Sequence, residues 1–324
     1  MCGKIDCYIK LFAELRTDKN KKRWSAATIW RAPHKPLLLL SIIDLIAQGT
    51  ITRNFIEATF DLAETFAQYW AKIMPLGTSG KMAYPFYYMD SEPFWELVPR
   101  PGVTLPVGKV VSSMKRIREL YLGAKIDDQL FPLLLMEPLR ERLRNVLIKT
   151  YFAPELQALL LEQSKINLLA DKYGKELLAE TKTKEPVPQY AEDNLKEKVR
   201  DQGFRRVIVT IYKHRCALCG IRMLTLEGHT VVEAAHIVPW SESRNDQPTN
   251  GMALCRLCHW SFDEGLMSVS KSYEVKISPQ VTRENNFPGH MLTLSDRLIF
   301  RPETSKHWPD QDNLNWHRKN IFRI

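Results

Sequence analysis

No run in this 324-residue chain approaches the roughly 18 consecutive apolar residues that a membrane helix requires. The opening stretch, MCGKIDCYIKLFAELRTDKN, also lacks the long apolar segment of an export signal. A membrane protein and a secreted protein are therefore not expected, and a reducing, cytoplasmic setting is. Cysteine is scarce, with six residues, too few for a disulfide-stapled scaffold. Glycine and proline are not in excess, and the composition is that of an ordinary globular protein rather than a disordered one. The length allows two domains, each with a core of its own.

Charge is the first positive feature. The net charge is +9, and residues 1–150 hold 22 Lys and Arg against 15 Asp and Glu, leaving 24 against 22 in the remainder. A polyanion would meet the N-terminal part first. Four of the six cysteines form two Cys-x2-Cys hooks, Cys216/Cys219 and Cys255/Cys258. Two such hooks supply the four thiolates of a tetrahedral structural zinc site, the alternatives being two disulfides or free core thiols, and Cys2 and Cys7 are left as free thiols. Between the hooks, Val231–Val238 reads as a strand, Ser241–Thr249 as a polar loop, Asn250-Gly251 as a turn and Met252–Leu254 as a returning strand. A helix begins near Cys258. The order is strand, loop, strand, helix.

The residues Glu233-Ala-Ala-His236-Ile-Val-Pro-Trp240, Asn250-Gly251 and Leu254-Cys-Arg-Leu-Cys-His259-Trp-Ser-Phe-Asp263-Glu-Gly265, with both hooks, resemble the HNH endonucleases of the ββα-metal class in their zinc-bearing, McrA-like form. The resemblance covers roughly residues 192–324. It implies that His236 is the general base, Asn250 the central asparagine and His259 the metal-binding histidine. A neutral imidazole suits removal of a proton from the attacking water. A divalent cation, Mg2+ or Mn2+, would offset charge on the scissile phosphate. Asp263 lies one turn after His259 on the same helical face, either as a further ligand or as a surface carboxylate. Many family members carry an acidic residue just before the base; here that position is Ala235, and Glu233, two residues earlier on the same side of the strand, is the candidate substitute. Trp240 and Trp260 are expected to pack rather than react.

Upstream, residues 5–16 read as an amphipathic helix, followed by basic residues from Lys19 to Arg31 with Trp24 and Trp30 among them, either against phosphates or in a solvated loop. Pro33–Ile46 reads as a helix buried nearly all round, and Phe55–Tyr69 as a second, the pair being compatible with a helix-turn-helix unit. Ala83–Met89 and Pro93–Leu97 are aromatic and read as short strands lining an apolar pocket. Pro33-His34-Lys35-Pro36 before a leucine run, then Tyr84-Pro85-Phe86 and Phe94-Trp95-Glu96-Leu97, resemble the sulfur-binding domain of phosphorothioate-dependent restriction endonucleases. That resemblance implies a cavity lined by His34, Lys35, Tyr84 and Pro85, with Lys35 where an arginine is frequent and Tyr88 where a small residue is expected.

Within the strongly helical residues 111–179, Val111–Tyr121, Gln129–Phe152 (bent or divided at Pro132 and Pro138) and Pro154–Glu180 read as helices, and Thr181–Tyr190 as the linker. Residues 194–213 read as a helix carrying cations for phosphates, and Leu266–Ile277 as a hairpin. The tail Asn315–Phe322 resembles the end of McrA-like modules, with His317 and Arg318 packing or touching phosphate. The expected fold class is α+β: a mainly helical DNA-reading domain with a few short strands (1–180), a linker (181–191) and a zinc-stapled ββα-metal nuclease domain (192–324). The expected function is that of a modification-dependent (type IV) restriction endonuclease on double-stranded DNA, as a monomer or a homodimer. Two rivals stay open. One is an HNH endonuclease or nickase that reads sequence alone; the other is a zinc-stabilised DNA-binding protein without activity.

Overall fold

The computed structural model describes residues 4–75, 78, 80–105, 111, 113–179, 193–283 and 286–324. The expected linker lies outside the described residues. The chain divides into two units, residues 1–168 with 226–229, and residues 169–225 with 230–324. The division falls inside one helix, α8 (Pro154–Leu178), rather than at residue 180.

In the first unit, α1 (Lys4–Ala13), α2 (His34–Ala47), α3 (Phe60–Ile73) and α4 (Ala83–Tyr88) precede strand β1 (Trp95–Pro99). Then come α5 (Met114–Leu120), β2 (Tyr121–Ile126), α6 (Leu130–Leu135), α7 (Glu137–Tyr151) and the first part of α8. Helix α2 is buried from Lys35 to Ile46, as its all-round apolar pattern requires. One polar side chain inside it, Asp44, is fully enclosed and satisfied. Arg144 pairs with it, and Tyr69 Oη, Ser164 Oγ and Asn167 Nδ2 donate to it at 2.7, 2.9 and 2.8 Å. Three other helices, α3, α7 and α8, thus converge on one carboxylate of α2, and the charge pair is enclosed with its hydrogen bonds made.

Several expectations are corrected here. The second helix starts at Phe60, not Phe55: Thr59 caps it, its side chain accepting from Leu62 N at 3.2 Å, and Ile56 instead bridges to Ala124. Residues 48–59 thus separate α2 and α3, too long a connection for a helix-turn-helix. Ala83–Tyr88 is helical rather than extended. Tyr121–Ile126 is a strand, lying between the helices read to Tyr121 and from Gln129, antiparallel to β1 with Trp95 opposite Ile126. Pro138 does open a new helix, α7.

In the second unit, α9 (Asp193–Ile211) leads to β3 (Val232–His236), α10 (Trp240–Ser243), β4 (Gly251–Cys255) and α11 (Arg256–Asp263). The hairpin β5 (Met267–Val269) and β6 (Val275–Ile277) follows, and α12 (Gln311–Asn320) closes the chain. Strands β3 and β4 pair antiparallel, with His236 opposite Gly251 and Val232 opposite Cys255. Their connection is a loop containing α10 and a 3-10 turn ending at Asn250, so Asn250-Gly251 is not a two-residue hairpin turn. Gly251 is required where it is: a Cβ there would collide with Ile208 and Phe204 of α9, so its absence lets that helix close on the hairpin. No described helix is long and apolar enough to cross a membrane.

Candidate functional site

Both hooks come together. The sulfurs of Cys216, Cys219, Cys255 and Cys258 all lie within 4.8 Å of one another, and Cys219 and Cys255 are 3.7 Å apart. A tetrahedron with metal–sulfur bonds of about 2.3 Å has edges of about 3.8 Å, so the cluster fits zinc. Hydrogen bonds among the sulfurs, Cys216 foremost, hold the Cys255 thiol far below its ordinary value and push Cys258 far above. Such shared charge is what a cation would neutralise. Cys255 ends β4 and Cys258 sits in α11, so the cluster ties hairpin to helix.

His236 ends β3. Its ring stacks on Phe204 of α9, centroids 3.9 Å apart and 7° from parallel. Its Nε2 is 2.7 Å from Asp246 Oδ1. A carboxylate accepts, so Nε2 donates and, in the neutral ring, Nδ1 is left with its lone pair. Asp246 is itself held: Tyr173 Oη donates to its Oδ2 at 2.7 Å, and Arg200 Nε lies 3.7 Å from the same oxygen. Arg200 also stands 4.0 Å from the centroid of the Trp240 ring. Sequence reading did not find Asp246 or Tyr173, and it counted Arg200 among cations free for phosphates, whereas Arg200 is turned inward.

Asn250 is fully buried, and its side-chain hydrogen bonds go to its own loop. Its Oδ1 accepts from Val238 N at 2.9 Å, and its Nδ2 donates to the carbonyls of Val238 and Asn245 at 3.0 and 2.9 Å. It clamps both the segment after His236 and the one that carries Asp246.

On α11, His259 Nε2 is 3.5 Å from Asp263 Oδ2, while Nδ1 is 3.4 Å from Glu233 Oε2. Burial raises the Asp263 carboxyl above its usual value, with His259 opposing. His259 and Asp263 fit a pair of cation ligands. Glu233 sits on the other ring nitrogen and also 3.4 Å from Arg256 Nε, so it orients His259 instead of converging on the same point as Asp263. Among the described residues, the four cysteines are the one group of three or more metal-binding side chains with converging ligand atoms. Strand alternation places Glu233 and His236 on opposite sides of β3, the first toward α11 and the second toward α9.

Trp260 is 56% exposed, which corrects its expected packing role. His317 is buried, bonded to Ser268 Oγ at 2.9 Å and to the Phe262 carbonyl at 3.0 Å, and burial lowers its pKa to about 4. It packs.

In the first unit, a cavity of about 470 Å³ is lined by His34, Lys35, Tyr84, Pro85 and Tyr88, all five residues expected to read DNA, with Trp24 and Arg23 among its other walls. His34, wedged between Trp24 and Trp70 at 5.4 and 4.7 Å between centroids, is driven by burial to a pKa of about 4 and is neutral. Lys35 pairs with the buried Glu92 and donates to Ser91 Oγ at 2.8 Å. Tyr88, at 43% exposure, does not fill the cavity.

No curated protein matches the chain. Among solved structures, one described as a modification dependent TagI restriction endonuclease is 22% identical, with a TM-score of 0.30. The match covers 42% of this chain and 44% of that one, a likeness that carries no argument. Residues 216–270 match a family described as HNH endonuclease. That span, similar to the family's endonuclease domain, holds both hooks, His236, Asp246, Asn250 and His259.

Proposed function

We propose that this protein is a cytoplasmic, modification-dependent (type IV) restriction endonuclease that hydrolyses phosphodiester bonds of double-stranded DNA with His236 as general base. The observation that carries the reading is the His236–Asp246 hydrogen bond, which leaves Nδ1 unprotonated on a ring fixed by Phe204. Nδ1 would take the proton of the attacking water while Asp246 stabilises the imidazolium that forms. Asn250 holds the loop so that ring and carboxylate keep register. His259 and Asp263 would hold Mg2+ or Mn2+, which supplies Lewis acidity at the phosphate. Zinc on the four cysteines would keep α11 against the hairpin.

The cavity in the first unit supports recognition of a phosphorothioate. Its lysine is neutralised by Glu92 and its histidine is uncharged, so a soft, weakly hydrated sulfur suits it better than a phosphate oxygen. A second reading is a modified nucleobase. About 470 Å³ exceeds what one sulfur needs, and Trp24, Tyr84 and Tyr88 offer surfaces for a base turned out of the duplex.

The test uses the full chain with phosphorothioated, methylated, hydroxymethylated and plain duplexes, with Mg2+ or Mn2+. Cutting of one modified duplex in preference to the plain one is expected, and its identity separates the two readings. His236→Ala should lower the rate by about 10²- to 10⁴-fold with zinc content unchanged. Undiminished cutting would remove His236 from the mechanism, and equal cutting of all duplexes would remove modification dependence.

A further inference from the structure

The second unit holds a cationic pocket that the reaction above does not use. It measures about 410 Å³ and is lined by Tyr212, Lys213, Arg215, Arg222, Phe300, Arg301 and Glu303, among others, so four cations face a single carboxylate. Lys213 takes that carboxylate, Glu303. The three arginines are each held by something that leaves their charge uncompensated. Arg215 lies over the Phe300 ring at 4.7 Å, and Arg222 Nε donates to the Lys213 carbonyl at 2.8 Å. Arg301 is stacked on Trp308 at 3.7 Å and on Tyr273 at 4.8 Å. Guanidinium groups fixed by stacking and backbone bonds lose little freedom when they bind, and their planar forks match phosphate oxygens.

The pocket is also tied to the hairpin. Tyr212 Oη lies 3.4 Å from the Gly251 carbonyl, and Gly251 is the strand partner of His236. Tyr212 follows Phe204, on which His236 stacks, by two helical turns, roughly 12 Å at about 1.5 Å per residue. A duplex spans that distance in about three to four base pairs.

We propose that this pocket is a phosphate-binding site that grips the DNA backbone a few nucleotides from the bond hydrolysed at His236. It rests on the endonuclease reading, and it gives the C-terminal unit a sequence-independent hold on substrate, separate from whatever the N-terminal cavity reads.

The test measures binding of the full chain to a plain duplex over a series of salt concentrations, for the wild type, for the double variant Arg215→Gln/Arg222→Gln and for Glu303→Gln. The double variant should weaken binding alike on all sequences and reduce the slope of log K against log salt by about 1 to 2, at roughly 0.9 per lost phosphate contact. Glu303→Gln, on an exposed side chain, should tighten binding. An unchanged slope in a double variant that melts normally and keeps its zinc overturns the proposal. Should the double variant fail to fold, unaltered or weaker binding by Glu303→Gln overturns it instead. A wild type that neither binds nor cuts any duplex would overturn the endonuclease reading itself, whereas a wild type that cuts beside an unaffected double variant sinks this site alone.

Discussion

The two units solve one problem, how to fix several elements around a polar centre, by opposite means. In the first, Asp44 is neutralised from within the chain by Arg144 and satisfied by Tyr69, Ser164 and Asn167. In the second, four cysteines crowd together as a group that could hold a cation from outside. The difference teaches that the helical unit closes its polar centre with its own side chains, whereas the other unit offers four sulfurs to a cation.

The sharpest way to break this comparison is to remove a sulfur. Cys216→Ala, or exhaustive chelation, should abolish the melting transition of the nuclease unit and all cutting while the other unit's transition stays, since structural zinc contributes on the order of 10 kcal/mol. Calorimetry beside metal analysis checks this, and a normal melting profile without metal would refute it. Conversely, Asp44→Ala removes the buried partner of Arg144, leaving it only the half-exposed Glu141, and should cost the helical unit about 3 kcal/mol, with the other unit unaffected. Loss of both transitions together would show that the units do not unfold separately.

Acid should sharpen the comparison further. Burial holds His34 and His317, one in each unit, to a pKa of about 4 against an ordinary 6.5. Between those values the unfolded chain binds the extra proton. Stability is therefore complete above about pH 6.5 and is lost as pH falls toward about 4, by on the order of 3 kcal/mol per histidine. His34→Gln should flatten this acid response in the helical unit and His317→Gln in the nuclease unit; unaltered pH curves would reject it. The smallest effect expected is that of Asp246→Asn, which keeps the shape but removes the charge behind His236. Cutting should slow by about 10- to 100-fold, with its pH optimum displaced and melting little changed. A rate equal to wild type would leave Asp246 a structural role only.

What the sequence disclosed follows from distance along the chain. The hooks, His236, Asn250 and His259 are recognisable because hairpin and helix are consecutive and their spacing is local. Asp246 sits in Ser-Arg-Asn-Asp-Gln-Pro with nothing to set it apart, and its meaning comes from Tyr173, 73 positions away. Strand β2 was hidden for a like reason, since Tyr121–Ile126 directly follows a helix and its partner strand ends more than twenty residues earlier. The five N-terminal residues read from resemblance do share one cavity, but only coordinates could show Glu92 neutralising Lys35.

The tether from Tyr173 to Asp246 bears on how the enzyme can be taken apart. A fragment begun at residue 193 would contain every histidine, asparagine and cysteine of the HNH motif and would look whole by its sequence. It would nonetheless lack the phenol on α8 that anchors the carboxylate bonded to His236, so a trimmed nuclease would start with that imidazole loosened, and dissection should cut ahead of α8 instead.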